Sequence, residues 1–359
     1  MAKSGQHGGN VLEIAEKYGL NVSDILDFSA NINPLGMPDS LKQAIIGHLS
    51  LAERYPDIEY RQLHAALARH NACPQSWILA GNGATELIFA LVQQIKPEKA
   101  MLLVPGFAEY RRALERAGCE IVNYPLFEEE DFQPNERLLT ALTDDLDCLF
   151  LCTPNNPTGQ QPDKSLLQAI AAVCHQKQIA LIVDESFIDF LPHETGMVPL
   201  LADYPNLYVL RSLTKFFAIP GLRLGYLLSA NTVAVSQMRD YREPWTINAF
   251  AALAGEMILD DREYIQATHR WLAAEQTHLF NALNTLPGLR VWRPAANYIF
   301  FHCLRDNLDL QKALLQHHIL IRHCANYPGL TANHYRVAIK SPEDNVRLIR
   351  AMQQVFTDG

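Results

Sequence analysis

The chain has 359 residues, and its 30 Lys and Arg against 39 Asp and Glu give a formal net charge of −9 at pH 7. This acidic balance argues against nucleic acid or a membrane surface as a partner, because both attract basic proteins. No apolar run approaches the roughly 18 residues that a membrane-spanning helix needs, and the N-terminal residues lack the apolar segment of a signal peptide. At about 150 residues per domain, the length predicts two domains.

The cysteines and histidines do not form a metal-binding pattern. Seven cysteines occur without a CxxC pair, which is typical of free thiols in a reducing compartment, so we expect a cytoplasmic protein. The neighbours His302 and Cys303, and likewise His317 and His318, point to different sides of their elements. Because a metal site needs converging ligands, we predict none.

From residue 77 onward, short apolar runs alternate with helical patterns. We predict strands at 101–104, 148–152, 180–183, 207–210 and 222–228. Runs that are almost wholly apolar are typical of strands covered on both faces, and their alternation with helices predicts a mainly parallel sheet. Beyond about residue 245 the pattern changes to two helical stretches, three short strands and a closing helix. We predict helices at 246–259, 261–286 and 343–356, and strands at 298–301, 319–321 and 335–339.

Polar residues follow the predicted strands where these end. Asn156 lies in the turn NNPTG, Asp184 ends a buried strand, and Lys215 lies in SLTK, eight residues before Arg223. Ligands of open α/β sheets bind at the carboxyl ends of the strands. A buried carboxylate such as Asp184 needs a partner, and a lysine near small hydroxyls and an arginine is expected to have a lowered pKa. The sequence therefore predicts a site with a reactive amine.

Five features of the sequence, taken together and in order, resemble one enzyme family. They are the glycine turn at 81–83, NNPTG, Asp184, the S-x-T-K motif and Arg223. They are similar to the fold-type I, aspartate-aminotransferase-like enzymes that use pyridoxal 5'-phosphate. The resemblance implies that Lys215 binds the cofactor covalently and that Asp184 pairs with its pyridinium nitrogen. It also implies that Asn156 donates to the phenolate oxygen and that Phe107 stacks on the ring.

The resemblance also implies how the cofactor phosphate is bound. A helix N-terminus offers free N–H groups to an anion, and the helix in question opens with Gly83, Ala84 and Thr85. Ser212 and Arg223 complete this cradle in the family pattern. Tyr55, in the segment RYPD, would reach the same phosphate from a neighbouring subunit, which implies a homodimer with shared active sites.

The family fold is α/β: a large domain with a mainly parallel seven-stranded sheet between helices, and a smaller α+β domain. On this chain we assign residues 1–44 to an N-terminal arm and part of the small domain. Residues 45–260 form the large cofactor-binding domain, and residues 261–359 form the small C-terminal domain.

One position departs from the wider family. Most relatives have a tyrosine three residues after the aspartate, and its hydroxyl bonds the phenolate oxygen of the cofactor. This chain has Phe187 there, so Asn156 would make that contact alone. The missing hydrogen bond, worth roughly 0.5–1.5 kcal/mol, raises the question of whether the chemistry is ordinary transamination.

Four residues are candidates for binding substrate anions: His7, Asn31, Arg322 and Arg336. Two arginines and a histidine suit a substrate with a carboxylate and a phosphate, and the sequence leaves open which arginine binds which group. The segments HGGN, DFSANINPLG, PGFAEYRRAL and SLTKFFAIPGLRLGY resemble the threonine-phosphate decarboxylase family of cobalamin biosynthesis. That resemblance implies decarboxylation of the small molecule L-threonine O-3-phosphate to (R)-1-amino-2-propanol O-2-phosphate.

Two other functions remain open at this stage. A histidinol-phosphate-type aminotransferase shares the fold, the cofactor and a phosphorylated substrate, although Phe187 and HGGN favour the decarboxylase. A non-catalytic regulator built on this fold would carry an additional nucleic-acid-binding domain. The acidic balance and the short segment before the catalytic pattern argue against it.

Overall fold

The structure is a computed structural model that describes residues 7–357. The helices of the described chain are α1 (Val11–Tyr18), α2 (Asp39–Gly47), α3 (Arg61–His70), α4 (Ala84–Ile95), α5 (Ala108–Arg116), α6 (Arg137–Ala141), α7 (Lys164–Gln176), α8 (Thr232–Tyr241), α9 (Ala249–Met257), α10 (Arg262–Asn284), α11 (Leu310–Leu315) and α12 (Pro342–Thr357). None of these helices is long and apolar enough to cross a membrane.

The strands of the described chain are β1 (Leu26–Asp27), β2 (Ile78–Gly81), β3 (Lys99–Val104), β4 (Glu120–Pro125), β5 (Cys148–Cys152), β6 (Ala180–Asp184), β7 (Leu207–Ser212), β8 (Gly225–Leu228), β9 (Leu289–Val291), β10 (Tyr298–Cys303), β11 (Ile319–Leu320), β12 (Arg322–His323) and β13 (His334–Ala338). The predicted helices and strands of both regions occur, with shifts of a few residues at their ends.

Seven strands form the large sheet, in the order β2-β8-β7-β6-β5-β3-β4. Strand β8 runs antiparallel to β2 and β7, and every other neighbouring pair is parallel. This confirms the mainly parallel seven-stranded sheet. The parallel arrangement brings the carboxyl ends of β3, β5, β6 and β7 to one edge, where Phe107, Asn156, Asp184 and Lys215 follow.

The predicted strand at 222–228 begins three residues later than expected. Arg223 has a φ of 63°, a left-handed conformation that interrupts an extended chain. The regular strand therefore starts only at Gly225, and Arg223 stands in the loop before it.

A second sheet of four strands has the order β12-β13-β10-β9. The predicted strand at 319–321 divides between two sheets, because Ile319–Leu320 pairs in parallel with β1 while Arg322–His323 joins β13. The N-terminal segment thus shares a sheet with residues of the C-terminal region. Helix α2 spans the assigned domain boundary at 44–45 and packs against α9. The domain limits stay a prediction.

Candidate active site

Lys215 lies in the loop after β7 and is partly buried. Its Nζ donates to Ser212 Oγ at 2.9 Å, and Ser212 Oγ lies 2.9 Å from Thr214 Oγ1. Burial lowers the pKa of Lys215 to about 8; Arg223 also lowers it, whereas the Asp184 carboxylate opposes the shift. The amine is therefore partly neutral near physiological pH, as a nucleophilic lysine requires.

Asp184 is buried at the end of β6, and both of its side-chain oxygens accept hydrogen bonds. Its Oδ1 accepts hydrogen bonds from the Ser186 amide at 2.9 Å and the Ser186 hydroxyl at 2.5 Å. Its Oδ2 accepts from the Tyr110 hydroxyl at 2.6 Å. The sequence reasoning missed Tyr110, although it lies one helical turn beyond Phe107 in the segment PGFAEY.

The N-terminus of α4 forms a confined space with Arg223. Gly83 has a φ of 81°, and a Cβ built on it would lie 2.5 Å from Arg223 Nη2. A Cβ on Gly225 would lie 2.5 Å from the Ala84 amide nitrogen. Only glycine at these two positions lets the guanidinium and β8 approach the first turn of the helix. Amide groups, a helix N-terminus and an arginine suit a phosphate, so these residues fit the cofactor's anionic end.

Asn156 connects the two sheets through its side chain. Its Oδ1 accepts from the guanidinium of Arg336 and from the Tyr327 hydroxyl, the latter at 3.4 Å. No hydrogen bond within residues 7–357 uses its amide nitrogen, which therefore remains a free donor for the cofactor. Tyr327 is a further residue that the sequence reasoning did not identify.

Phe187, which stands where the family resemblance implies a tyrosine, is buried. Its ring packs against Tyr298 at 4.9 Å, and Lys215 Nζ lies 5.7 Å from the ring centroid. Tyr298 does not replace the missing hydroxyl, because it donates to the Asn155 carbonyl at 2.7 Å. Phe107, at the start of α5, contacts the rings of Tyr110 and His7 at 5.6 and 5.8 Å.

Arg322 and Arg336 lie directly opposite each other on β12 and β13, and both are buried. Arg336 donates to the Ser29 carbonyl at 2.8 Å, and no carboxylate of residues 7–357 forms an ion pair with it. Arg322 donates to Asn326 Oδ1 at 2.9 Å and lies over the ring of Tyr327. A buried guanidinium without a carboxylate is costly, so Arg336 is suited to bind an external anion.

The two N-terminal candidates lie near this pair. His7 Nε2 is 2.9 Å from Oε1 of Glu109, a buried residue in the first turn of α5. Gly9 donates to the Ser29 hydroxyl at 2.8 Å, so this segment contacts the residue whose carbonyl holds Arg336. Asn31 is buried, and its Oδ1 has no partner. His7 thereby connects the substrate candidates to the Phe107 side of the site.

Tyr55 is placed at the surface. Its side chain is 79% exposed, and its ring lies 4.5 Å from that of Trp245 at an angle of 32°. Other large apolar side chains are exposed as well, among them Ile46, Leu49, Ile58 and Tyr241.

One group of potential metal ligands was missed because its members are distant in sequence. The ligand atoms of Glu128, His302 and His334 lie within 4.8 Å of one another. Adjacent residues such as His302 and Cys303 do point apart, as expected, but His302 faces His334 across two strands.

The comparisons with known proteins agree on one family. The model of the family described as aminotransferase class I and II matches residues 23–352. Threonine-phosphate decarboxylase of Salmonella typhimurium is 55% identical over 98% of this chain and 96% of its own length. The adenosylcobalamin biosynthesis bifunctional protein CobDQ of Leptospira interrogans is 31% identical over 98% of this chain, which covers 41% of that protein.

Solved structures give the same fold. Histidinol-phosphate aminotransferase from Clostridium acetobutylicum superposes with a TM-score of 0.87 and is 31% identical, covering 93% of this chain and 100% of its own. L-threonine-O-3-phosphate decarboxylase from Porphyromonas gingivalis has a TM-score of 0.83 at 25% identity, covering 92% of this chain and 99% of its own.

Proposed function

This chain belongs to the aminotransferase class I and II family, and we propose that it decarboxylates L-threonine O-3-phosphate with pyridoxal 5'-phosphate as its cofactor. The product is (R)-1-amino-2-propanol O-2-phosphate, for cobalamin biosynthesis. The 55% identity to the Salmonella decarboxylase supports this reaction, and the similarity to CobDQ supports the pathway. The observation that carries the substrate class is the buried pair Arg322 and Arg336.

The substrate has two anionic groups, and the arginine pair can bind both. A guanidinium presents a planar fork that matches a carboxylate or a phosphate. The two guanidinium groups reach the site from adjacent strands, so a carboxylate and a phosphate on neighbouring carbons can be held at once. We assign His7 and the unpartnered Asn31 Oδ1 to the same pocket. We leave open which arginine binds which group.

We assign the cofactor to the edge of the large sheet. Gly83, Ala84, Thr85, Ser212 and Arg223 would hold its phosphate, and Lys215 would hold it covalently. Asp184, held in place by its hydrogen bonds, would face the pyridine nitrogen, with Phe107 against the ring and the Asn156 amide near the phenolate oxygen. When bound, the cofactor supplies an electron sink for the substrate α-carbon.

The protein's own contribution to decarboxylation is the orientation of the carboxylate. An arginine that fixes the carboxylate also fixes which bond of the α-carbon breaks, and positioning of this kind lowers reaction barriers substantially. After CO₂ leaves, a proton must return to the α-carbon, and the Lys215 amine is the titratable group suited to deliver it. Phe187 lacks the hydroxyl of the tyrosine that the family resemblance implies at this position, near the Lys215 amine.

Product analysis tests this function. We expect purified holoenzyme given L-threonine O-3-phosphate to release CO₂ and aminopropanol phosphate in equal amounts, without an added keto acid. Formation of a keto acid and pyridoxamine phosphate would instead establish an aminotransferase. Turnover of histidinol phosphate that depends on 2-oxoglutarate would favour the histidinol-phosphate reaction, which the Clostridium structure represents.

We also propose that the enzyme is a cytoplasmic homodimer with shared active sites. The support is the exposed aromatic pair of Tyr55 and Trp245, because exposed aromatic side chains are enriched at protein interfaces. Tyr55 would donate its hydroxyl to the cofactor phosphate of the partner subunit. All seven cysteines are free thiols, in keeping with a reducing compartment.

A further inference from the structure

Glu128, His302 and His334 form a hydrogen-bonded cluster outside the active site, here called the Glu128 clasp. Glu128 Oε1 lies 3.0 Å from His302 Nδ1, and Oε2 lies 3.2 Å from His334 Nε2. The two imidazole rings stack at a centroid distance of 4.2 Å and an angle of 19°. Both oxygens of one carboxylate are thus used by two neighbouring histidines.

The hydrogen bonds of His334 identify the cluster as a clasp and not a metal centre. The Thr331 amide donates to His334 Nδ1 at 3.1 Å, so the proton of the neutral ring lies on Nε2. Nε2–H then donates to Glu128, and the lone pair that a metal would need is absent at that atom.

The clasp joins the two sheets of the molecule. Glu128 lies in the loop that follows β4 at the edge of the large sheet, whereas the histidines lie on β10 and β13 of the small sheet. The same loop makes further contacts with the small sheet. Asp131 Oδ1 accepts hydrogen bonds from Arg290 at 3.0 Å and from Trp292 Nε1 at 2.9 Å. Phe132 packs on the rings of Trp292, Phe300 and His334.

The clasp also lies next to the proposed substrate arginines. His334 and Arg336 are two residues apart on β13 and therefore face the same side of the sheet. Their partners on β10 are His302 and Phe300. A displacement of β13 at His334 would therefore displace the Arg336 guanidinium.

We propose that Glu128 is a positioning residue that acts through His334 and β13 to hold Arg336 at the substrate, and that protonation of His334 weakens this hold. The proposal rests on the function proposed for Arg336. Protonation of His334 at Nδ1 would break the bond from the Thr331 amide and leave the Thr331 hydroxyl, 2.9 Å away, as the acceptor for the new N–H. It would also place a second cation against Glu128 beside Arg290, whose Nη1 is 3.3 Å from Glu128 Oε1.

The charges around the clasp set the direction of its pH response. Burial and the neighbouring His302 lower the pKa of His334 below its usual value near 6.5, although Glu128 opposes this. Burial disfavours ionised Glu128, but hydrogen bonds and charge from His302 and His334 outweigh it and lower the pKa of Glu128. Within residues 7–357, the other charged groups at the clasp are Arg290, which contacts Glu128, and Asp131, which contacts Arg290. The clasp is therefore intact at neutral pH and is lost as the pH falls through the lowered pKa of His334.

The test compares Glu128→Gln with Glu130→Gln. Glu130 lies in the same loop but bonds Arg137 and Asn135 instead of the small sheet. At neutral pH we expect Glu128→Gln to raise KM for threonine phosphate by roughly 2- to 30-fold, the range of remote coupled positions, with kcat little changed. Glu130→Gln should leave both constants unchanged. His302→Asn, a second variant, should raise KM in the same direction.

The pH profile separates positioning from a general loss of structure. The ratio of the variant KM to the wild-type KM should shrink toward one as the pH falls through the lowered pKa of His334, since the wild type then loses its clasp as well. Comparing variants at each pH cancels the titration of the substrate phosphate. A lowered melting temperature with unchanged KM, or a ratio independent of pH, would overturn the proposal.

The same experiment includes a metal arm. Stoichiometric Zn²⁺ binding to wild-type enzyme that His302→Asn abolishes would overturn the clasp in favour of a metal site. A wild-type enzyme that does not turn over threonine phosphate would instead refute the proposed function. In that case direct calorimetric binding of threonine phosphate to the same variants would still test whether Glu128 positions Arg336.

Discussion

The Tyr110 hydroxyl illustrates how a single buried contact supports the chemistry of the site. It is one of three hydrogen-bond donors to Asp184, and burial, with the neighbouring Asp184 charge, raises the pKa of Tyr110 well above 10, so it remains a donor. Hydrogen bonds to charged groups contribute about 1.5–3 kcal/mol. On the proposed role of Asp184, the Tyr110 hydroxyl holds the side chain of Asp184 in position opposite the cofactor nitrogen.

We therefore predict that Tyr110→Phe lowers kcat/KM for threonine phosphate by about tenfold or more and shifts the visible absorbance of the bound cofactor. Tyr208→Phe is the matched control, because Tyr208, in β7, is as deeply buried as Tyr110 but its hydroxyl contacts Asn231 at 3.2 Å. Steady-state kinetics and absorbance spectra of both variants check this. An equal loss of kcat/KM in the two variants would mean that Tyr110 contributes only packing.

The lowered pKa of Lys215 predicts how cofactor uptake depends on pH. Attack on the cofactor aldehyde needs the neutral amine. With a pKa of about 8, roughly one Lys215 side chain in ten is neutral at pH 7. For a pKa of 10.5 the neutral fraction would be about one in 3,000. The rate at which apoenzyme takes up pyridoxal phosphate should rise about tenfold per pH unit at low pH and level off above about pH 8. Stopped-flow absorbance measures this, and a rate still rising at about pH 10 would indicate an ordinary lysine.

At the residue scale, the sequence located the groups that follow strand ends but not their supporting contacts. Asp184 and Lys215 were predictable because each directly follows an apolar strand, and parallel topology places such residues together. The contact between Tyr110 and Asp184 joins residues 74 positions apart. It depends on the rotamer of a buried side chain, which no local pattern encodes.

At the scale of elements, the junction of α4 and β8 determines the phosphate cradle. The two elements come so close that a Cβ at Gly225 would press against the Ala84 amide, 2.5 Å away, and the Arg211 carbonyl, 2.8 Å away. Both neighbours are backbone atoms in regular elements, so they cannot move aside as a flexible side chain could. The helix N-terminus would have to shift away from the proposed phosphate position.

We predict that Gly225→Ala weakens pyridoxal phosphate binding by at least about tenfold and destabilises the enzyme by about 1–3 kcal/mol, as overpacking does. Gly221→Ala is the control, because it lies four residues away in open space without a positive φ. Cofactor titration followed by absorbance, together with thermal unfolding, measures both effects. Unchanged affinity in Gly225→Ala would mean that the first turn of α4 does not bind the phosphate.

The elements of the large sheet were more predictable than those of the small one. Strands such as β5 are buried along their whole length, so their apolar runs stand out in the sequence. Strands β11 and β12 have two residues each and pair with different sheets. The partner of β11 lies about 290 positions earlier, and a pairing of that separation leaves no periodic pattern in a two-residue strand.

At the scale of the whole molecule, two residues proposed to bind the same cofactor, Lys215 and Tyr55, lie in different places on the chain's surface and interior. Lys215 is enclosed at the edge of the large sheet, whereas Tyr55 is 79% exposed on the surface. If Tyr55 acts in a partner subunit, each site combines Lys215 of one chain with Tyr55 of the other. If one chain then lacks Lys215 and the other lacks Tyr55, both losses fall in the same site of the mixed dimer and the second site keeps both residues.

We predict that mixing Lys215→Ala with Tyr55→Phe restores activity. A heterodimer of the two variants has one site with both native residues and one site lacking both. Random exchange of subunits makes half of the dimers heterodimers, so about a quarter of all sites should become native. Tyr55→Phe alone should bind the cofactor about tenfold or more weakly, the loss of one hydrogen bond to a phosphate, so the assay uses limiting pyridoxal phosphate. If Tyr55 instead served its own chain, every site would lack one residue, and mixing would give no gain over the average of the two parents.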